Sequence, residues 1–485
     1  MKLLELVGRV PGQIRLAGEN VDITGIELDS RKVQPGTLFF CIPGTNVDGH
    51  DYAPVALEKG AAALVVEREL DLNVPQLVVE SARTALAYIA AAFCGNPADG
   101  MRLIGITGTK GKTTVSFLVR SILKAAGIKT GLIGTVSTYI GDEQYPSRLS
   151  TPDPLEFHAI LRKMADAGVQ CVVMEVTAHA LAQHRVDGLT YDAAAFTNLT
   201  QDHLDYFGTM EEYFAAKLEL AKQAKIMFVN TDDDRLLETV EAGRIGCPMK
   251  TVAIRERSDI YAKNIEIDER GCNFLLCFHK RCRIPVQLRI QGIFNVYNAL
   301  VAASLCDAIG IDEDAIRCGL ESIRSVPGRI ELLDTDTPYQ VILDYAHSPD
   351  ALENVLNAVR QTAKGRIIAL FGCGGDRDRE KRPMMGEIGG RLSDFVVLTS
   401  DNPRSEDPYA ILASVEAGIK ETDCPYVVIE NRREAIKAAM KMAQESDVVL
   451  LAGKGHETYQ EIQGVKHPFD ERIVVQEILA EIRGE

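Results

Sequence analysis

No stretch of this chain is apolar for long enough to cross a bilayer. A spanning helix needs about 20 apolar residues, and the best run, residues 85–94, falls well short and reads as a buried helix. The first ten residues carry charges inside any candidate apolar core, so no signal peptide is expected. Membrane insertion is thereby excluded and a cytoplasmic location expected. Positive charge is also scarce: 53 Lys and Arg stand against 69 Asp and Glu, a formal net charge of −16. Nucleic-acid affinity rests on neutralising phosphates with Lys and Arg, so a general nucleic-acid binder is excluded too.

Further absences narrow the field. The eleven cysteines are an odd number, irregularly spread, with no Cys-x-x-Cys pair, which suits reduced thiols rather than a disulfide framework or a zinc site. Cys272, Cys277 and Cys282 recur every five residues near His279, but that stretch reads more easily as two strands around a turn. Gly372-Cys-Gly-Gly-Asp-Arg377 lacks the third glycine of a dinucleotide fingerprint, because Arg377 stands in its place. No internal repeat or low-complexity tract occurs.

What is present is ordinary globular composition, 46% hydrophobic and 25% charged, over 485 residues. That length suits about three domains. The fold class expected is α/β. Residues 1–98 form a small N-terminal α/β module, with strands at 21–31, 36–44 and 62–66 and helices at 52–59 and 82–94. Residues 99–329 form a central parallel-sheet domain, and residues 330–485 a C-terminal Rossmann-like α/β domain.

The central domain opens on a strand ending at Thr107, a glycine turn, and a helix running to Gly127. Gly108-Thr-Lys-Gly-Lys-Thr-Thr114 between them is a phosphate loop in compact form. Ile106 stands where the standard pattern has its first glycine. Free N–H groups and the positive end of a helix dipole converge there on an anion. Lys112 adds a point charge for the terminal phosphates, and the Thr113 hydroxyl suits Mg²⁺. Two later strands aim at the same crevice: one carries Glu175 near its C-terminal end, and the other runs into Asn198-Leu-Thr-Gln-Asp-His-Leu-Asp205. Glu175 is placed as an acidic partner for Mg²⁺–ATP. His203 is a candidate metal ligand. Lys217, on a helix over residues 211–222, would by itself pass for a surface lysine.

In the last third, four apolar strand-like runs each end in a polar cluster. These are Asp344-Tyr-Ala-His347, Gly372 to Arg382, Asp401-Asn-Pro-Arg404 and Gly453-Lys-Gly-His-Glu457. Helical stretches separate them, so a second parallel sheet with binding groups at its C-terminal edge is expected.

Together the clusters resemble the Mur ligase family, ATP-dependent amide-forming enzymes of peptidoglycan precursor synthesis. The matching pieces are the phosphate loop, Met174-Glu-Val-Thr-Ala-His179, Thr197 to Asp205, Asn295-x-x-Asn298, Pro327-Gly-Arg329 and the four C-terminal clusters. Leu28-Asp-Ser-Arg31 and Asp401-Asn-Pro-Arg404 resemble the members that add the third residue of the stem peptide. The resemblance implies an ADP-forming ligase joining meso-diaminopimelate to UDP-N-acetylmuramoyl-L-alanyl-D-glutamate through an acyl phosphate.

The resemblance also implies site residues. ATP falls to Gly108, Thr109, Lys110, Gly111, Lys112, Thr113, Thr114, Asn298 and Arg329. Two Mg²⁺ ions are implied, held by Thr113, Glu175, His203 and Lys217, the lysine as a CO₂-derived carbamate. Lys112, Glu175, His203 and Lys217 are the implied catalytic set. The UDP-muramoyl dipeptide falls to Leu28, Ser30, Thr45, Asn46, Val47, Ser150, Thr151, Thr177, Gln183 and Arg185. Diaminopimelate falls to Arg377, Asp401, Asn402, Pro403, Arg404, Gly453 and Glu457. Arg404 suits the distal carboxylate that lysine lacks, and Glu457 the distal ammonium. Two positions depart from the family pattern: Ala178 stands for a serine, and Lys110 for the commoner asparagine. Small-molecule substrates and a monomer are expected. Folylpolyglutamate synthetase, a tripeptide-recycling ligase and a non-catalytic nucleotide-binding partner are the rival readings. Leu28-Asp-Ser-Arg31 and Asp401-Asn-Pro-Arg404 argue against the first two, and an intact loop lysine, acidic ligand and Lys217 against the third.

Overall fold

The computed structural model describes residues 1–44, 47–254, 258–268, 270–279 and 281–483. Three helix-covered sheets follow one another along the chain. The first has the order Ile14–Ala17, Gln76–Val79, Ala61–Val66, Thr37–Phe40, Gly25–Glu27, parallel except for the Ile14–Ala17 edge. Ala61–Val66 holds no polar residue and is largely buried, because helices and loops cover both of its faces. Ala82–Phe93 closes one face, its N-terminus capped by Ser81, which accepts from Thr84 N at 3.1 Å. The strand expected over residues 21–31 shrinks to Gly25–Glu27. Asp29 ends it by accepting the backbone N–H of Arg31 at 3.0 Å, a side-chain turn that competes with the ladder.

The central sheet is the largest, with eleven described strands. Its parallel middle runs Ile260–Asp268, Met249–Ala253, Met227–Asn230, Ala193–Phe196, Arg102–Thr107, Cys171–Glu175, Thr130–Ile133. Antiparallel strands extend it on both sides. Gly271–Phe278 and Cys282–Leu288 are the two strands expected around the cysteine cluster. Lys112–Ala125 and Ile293–Ala308 pack together on one face. The second is apolar around most of its circumference and correspondingly buried. Register sets Glu175 beside Ile106 and Phe196 beside Thr107, so the strand ends expected to share a crevice do share one.

The third sheet has the order Glu331–Leu333, Gln340–Asp344, Val448–Ala452, Ile367–Phe371, Phe395–Leu398, Tyr426–Val428, all parallel but the first. The four polar clusters of the sequence therefore sit at one edge, each immediately after its strand. Among the described residues no helix is long and apolar enough to cross a membrane.

Candidate active site

The phosphate loop is shaped by two glycines that tolerate neither a side chain nor a negative φ. Gly108 has φ +142°, and a Cβ there would overlap Thr197 Oγ1; Gly111 has φ +85°, with Asn298 Oδ1 2.6 Å from where its Cβ would lie. The helix after the loop begins at Lys112, three residues earlier than the apolar periodicity indicates, because Gly111 in the left-handed region serves as its cap. Lys112 Nζ turns back to donate to Gly108 O at 2.8 Å and Thr109 O at 2.9 Å. Burial lowers its pKa to about 8; Lys110 and Arg329 push the same way, and Glu175 and Asp202 oppose them.

Thr113 and Glu175, 62 positions apart, meet at the C-terminal edge: Thr113 Oγ1 donates to Glu175 Oε1 at 3.0 Å. The Glu175 carboxylate is buried and also accepts from Thr135 N at 2.8 Å and Thr135 Oγ1 at 2.9 Å. Thr135 escaped the sequence reading. Its only signal is its place just beyond the strand Thr130–Ile133, at the same sheet edge. A hydroxyl and a carboxylate in contact supply the hard oxygen donors that Mg²⁺ prefers, so these residues fit that ion.

Lys217 is not a surface residue. It is 1% exposed, donates to Gly108 O at 2.8 Å, and lies over the Tyr213 ring at 4.5 Å. Its helix ends at Leu218 and gives way to a 3-10 turn, shorter than the helix expected to residue 222. Burial, then the charge of Lys112, holds the Lys217 amine well below the usual lysine range. A neutral buried amine is the form that combines with CO₂, so the site fits a carbamate. His203 meets Tyr213 edge-on, ring centroids 6.2 Å apart, with a left-handed backbone at φ +56°. Strained backbone of this kind concentrates at functional sites.

Lys112, Thr113, Thr135, Glu175 and His203 line a cavity of about 550 Å³, with Lys217 set behind its lining; the opposite wall is built by Asp344 at the end of its strand in the third sheet and by Tyr345, His347 and Asp350 just after it. Arg329 joins the walls: its Nη2 is 3.4 Å from Thr113 Oγ1, and its guanidinium lies 4.8 Å over the Tyr345 ring. The Tyr345 ring also meets His347 edge-on, centroids 4.6 Å apart, and His456 at a tilt, 4.9 Å apart. Burial pulls both histidines down, to about 4 and about 3, which keeps them neutral beside Arg329. Asn298 is fixed by donating to Asn295 Oδ1 at 2.9 Å.

A second group adjoins Glu175. Thr151 Oγ1 donates to Glu175 O at 2.8 Å and accepts from Thr177 N at 3.2 Å. Ser150 Oγ is 2.7 Å from Thr135 Oγ1, and Arg185 donates to Thr151 O at 2.8 Å and to Gln183 Oε1. Ser150 and Thr177 line the cavity. Thr177 caps the helix that follows, and Ala178 is buried. Leu28, Ser30 and Val47 lie in turns of the N-terminal unit and do not line the cavity, while Thr45 and Asn46 lie outside the described residues.

A third group centres on Asn402. Its side chain donates to Glu457 Oε2 at 2.9 Å and accepts from Lys454 Nζ at 3.1 Å. Lys454, fully buried and missed as a site residue, also donates to Glu457 at 3.0 Å. Asp401 is buried with Oδ2 unpartnered among the described residues, and Gly453 has room for no side chain against that atom. Burial alone would raise the Asp401 carboxyl, but Lys454 and Arg432 hold it below its usual range. Arg404 has φ +52° and donates Nη1 to Gly375 O at 2.6 Å; its Nε is 3.7 Å from Glu461 Oε2. Pro403 O approaches Gly375, whereas Arg377 is exposed on its loop and bonds to none of this group.

Comparison with known proteins follows the same three-part division. Residues 22–94 match the Mur ligase family catalytic domain, residues 106–306 the Mur ligase middle domain, and residues 328–455 the Mur ligase glutamate ligase domain. The chain is 47% identical over 492 residues to the UDP-N-acetylmuramoyl-L-alanyl-D-glutamate--2,6-diaminopimelate ligase of Geobacillus thermodenitrificans, covering 100% of both. It is 46% identical over 493 residues to the same-named ligase of Bacillus licheniformis, again covering 100% of both. A solved structure of a ligase with that name is 32% identical, with a TM-score of 0.69 over 95% of each chain. A MurF ligase from Thermotoga maritima in complex with ADP gives a TM-score of 0.64 over 94% of this chain and 97% of that one; at 22% identity it shares the fold alone.

Proposed function

The chain belongs to the Mur ligase family, and we propose that within it the protein is the ATP-dependent, ADP-forming ligase that adds meso-2,6-diaminopimelate to UDP-N-acetylmuramoyl-L-alanyl-D-glutamate. On this reading residues 1–98 take the UDP end, residues 99–329 take ATP and residues 330–485 take the amino acid. The protein works as a cytoplasmic monomer. The observation that carries the reading is the cavity that sets Lys112, Thr113 and Glu175 opposite the C-terminal edge of the third sheet. Full-length identity to ligases named for this reaction supports it.

A carboxylate is a poor acylating agent, so the D-glutamate side-chain carboxylate first attacks the γ-phosphorus of ATP, and the bond to the ADP oxygen breaks. The amine of diaminopimelate, having lost its proton, then adds to the acyl carbon. The tetrahedral intermediate collapses with cleavage of the carbon–oxygen bond, releasing phosphate and leaving the amide. Lys112 and the loop N–H groups meet the charge that builds on the transferring phosphoryl oxygens. Thr113 and Glu175 would hold one Mg²⁺, and His203 with Lys217 as carbamate a second; bound there, the ions supply further charge neutralisation. Ser150, Thr151, Thr177, Gln183 and Arg185 direct the dipeptide end toward Glu175. Asn402, Asp401 and Glu457 hold the ammonium groups of the amino acid. Arg404 Nη2, without a partner among the described residues, takes the distal carboxylate.

The test is ADP release by purified protein given ATP and UDP-muramoyl dipeptide, with meso-diaminopimelate, L-lysine and L-glutamate compared. Turnover that depends on diaminopimelate is expected. Its absence, or preference for another amino acid, overturns the reading.

A further inference from the structure

One phosphate-loop lysine points away from its own loop. Lys110 Nζ lies 3.3 Å from Asp202 Oδ2 and 3.1 Å from Ser348 Oγ. Asp202 follows the central strand Ala193–Phe196; Ser348 follows Gln340–Asp344 in the third sheet. The backbone beneath the lysine is pinned: Lys110 N donates to Asn198 Oδ1 at 2.8 Å, and Lys110 O accepts from Thr197 Oγ1 at 2.6 Å and from Asn198 Nδ2 at 3.1 Å. The loop therefore aims this one side chain across the cavity.

Ser348 is equally informative. It occupies the cap position of Pro349–Thr362 with extended backbone, φ −133° and ψ 158°, yet its hydroxyl makes no capping bond. A serine there normally accepts an N–H of the first turn; this one turns to Lys110 instead. The peptide just before it is tied down as well, since His347 O accepts from Lys381 Nζ at 2.9 Å. Lys110, Asp202, His347 and Asp350 all line the one cavity.

We propose that Lys110 is a strap joining the two walls of the nucleotide cavity: it acts through Ser348 to hold the third sheet against the phosphate loop, as a positioning residue and not as a phosphate ligand. A ligand that needs both walls binds more weakly in proportion to the fraction of molecules whose walls are apart. A substrate held by one wall alone does not feel the strap. The inference rests on the nucleotide reading above.

The test compares Lys110→Met, Ser348→Ala, their double variant and Lys110→Arg in the full-length protein. Both single variants are expected to raise the KM for ATP about three- to tenfold with a smaller change in kcat, and to leave the KM for the muramoyl dipeptide unchanged. The double variant should be no worse than the worse single, because both remove one interaction. Lys110→Arg, which keeps charge and reach, should stay near the parent. Small-angle scattering of the ligand-free variants should show a larger radius of gyration. Ser348→Ala has no capping bond to lose, so its effect is not a folding defect. If Ser348→Ala is silent while Lys110→Met weakens ATP, or if the two effects add, Lys110 contacts phosphate directly and the strap is overturned. Failure of the parent protein to bind ATP would instead sink the nucleotide reading, and the scattering comparison would still judge the strap.

Discussion

Lys112 and Lys217 donate to one and the same acceptor, the carbonyl oxygen of Gly108, each at 2.8 Å. Two ammonium groups that close disfavour each other's charge, and burial adds to the effect. Lys217, the less exposed of the two, is held well below the usual lysine range by burial and then by the charge of Lys112; Lys112 is lowered to about 8. One loop carbonyl thus ties together two lysines whose charged forms both burial and mutual repulsion disfavour.

The carbamate proposed on Lys217 predicts dependence on dissolved CO₂. Protein exchanged into CO₂-free buffer should lose most of its turnover and regain it on adding bicarbonate. Labelled bicarbonate should give a carbamate carbon signal that is absent from Lys217→Met. Lys217→Arg, always charged, should lose about 10²-fold or more in kcat, on the scale of removing one charge-stabilising group from an active site. Full activity under rigorous CO₂ exclusion would reject the carbamate.

Lys112 predicts a trade between stability and activity. Its folded pKa lies below the ordinary lysine value of 10.5, so the unfolded chain binds this proton more tightly. The resulting penalty on folding is fully present below about pH 8 and fades as pH rises toward 10.5. Lys112→Met should therefore abolish turnover yet melt a few degrees higher than the parent at pH 7, with the gap narrowing by pH 10. Thermal unfolding across that range, followed by circular dichroism, checks the sign.

The local parts of this site were open to sequence reading and the tertiary parts were not. The phosphate loop is written in seven consecutive residues whose strand and helix neighbours announce themselves. The four clusters of the third sheet each follow an apolar run, so sheet topology alone gathers them. Thr135 acts only because Thr130–Ile133 pairs with Cys171–Glu175 and brings it beside Glu175. No local pattern encodes that register. Lys217 and Lys454 look like any helix or loop lysine until burial is known. The N-terminal unit is the converse case: the resemblance singles out Leu28 and Ser30, and neither lines the cavity.

Arg404 predicts amino-acid selectivity. Arg404→Ala should raise the KM for diaminopimelate about 100-fold, the loss expected when a charged pairing is removed from a partly buried site. The KM for ATP should stay within about twofold, because Arg404 does not line the nucleotide cavity. Steady-state kinetics varying each substrate in turn make the comparison. Equal effects on both would remove Arg404 from the amino-acid site.

Behind the amino-acid group lies the last prediction. Arg432 and Glu471 form an ion pair at 2.8 Å with both side chains fully buried. Arg432 also donates to Ser400 O at 3.4 Å and Ala452 O at 2.9 Å, the carbonyls immediately before Asp401 and Gly453. A buried pair of this kind contributes little net stability, but breaking one side strands a charge, at about 3–5 kcal/mol. Arg432→Met should accordingly be strongly destabilised, while Arg432→Met with Glu471→Leu should recover most of that loss. The two carbonyls remain without their donor in both variants. The double variant should therefore fold, keep its KM for ATP, and still show a raised KM for diaminopimelate. Recovery of amino-acid KM along with stability would show that the pair only holds the fold, because the strand ends would then keep their geometry without Arg432.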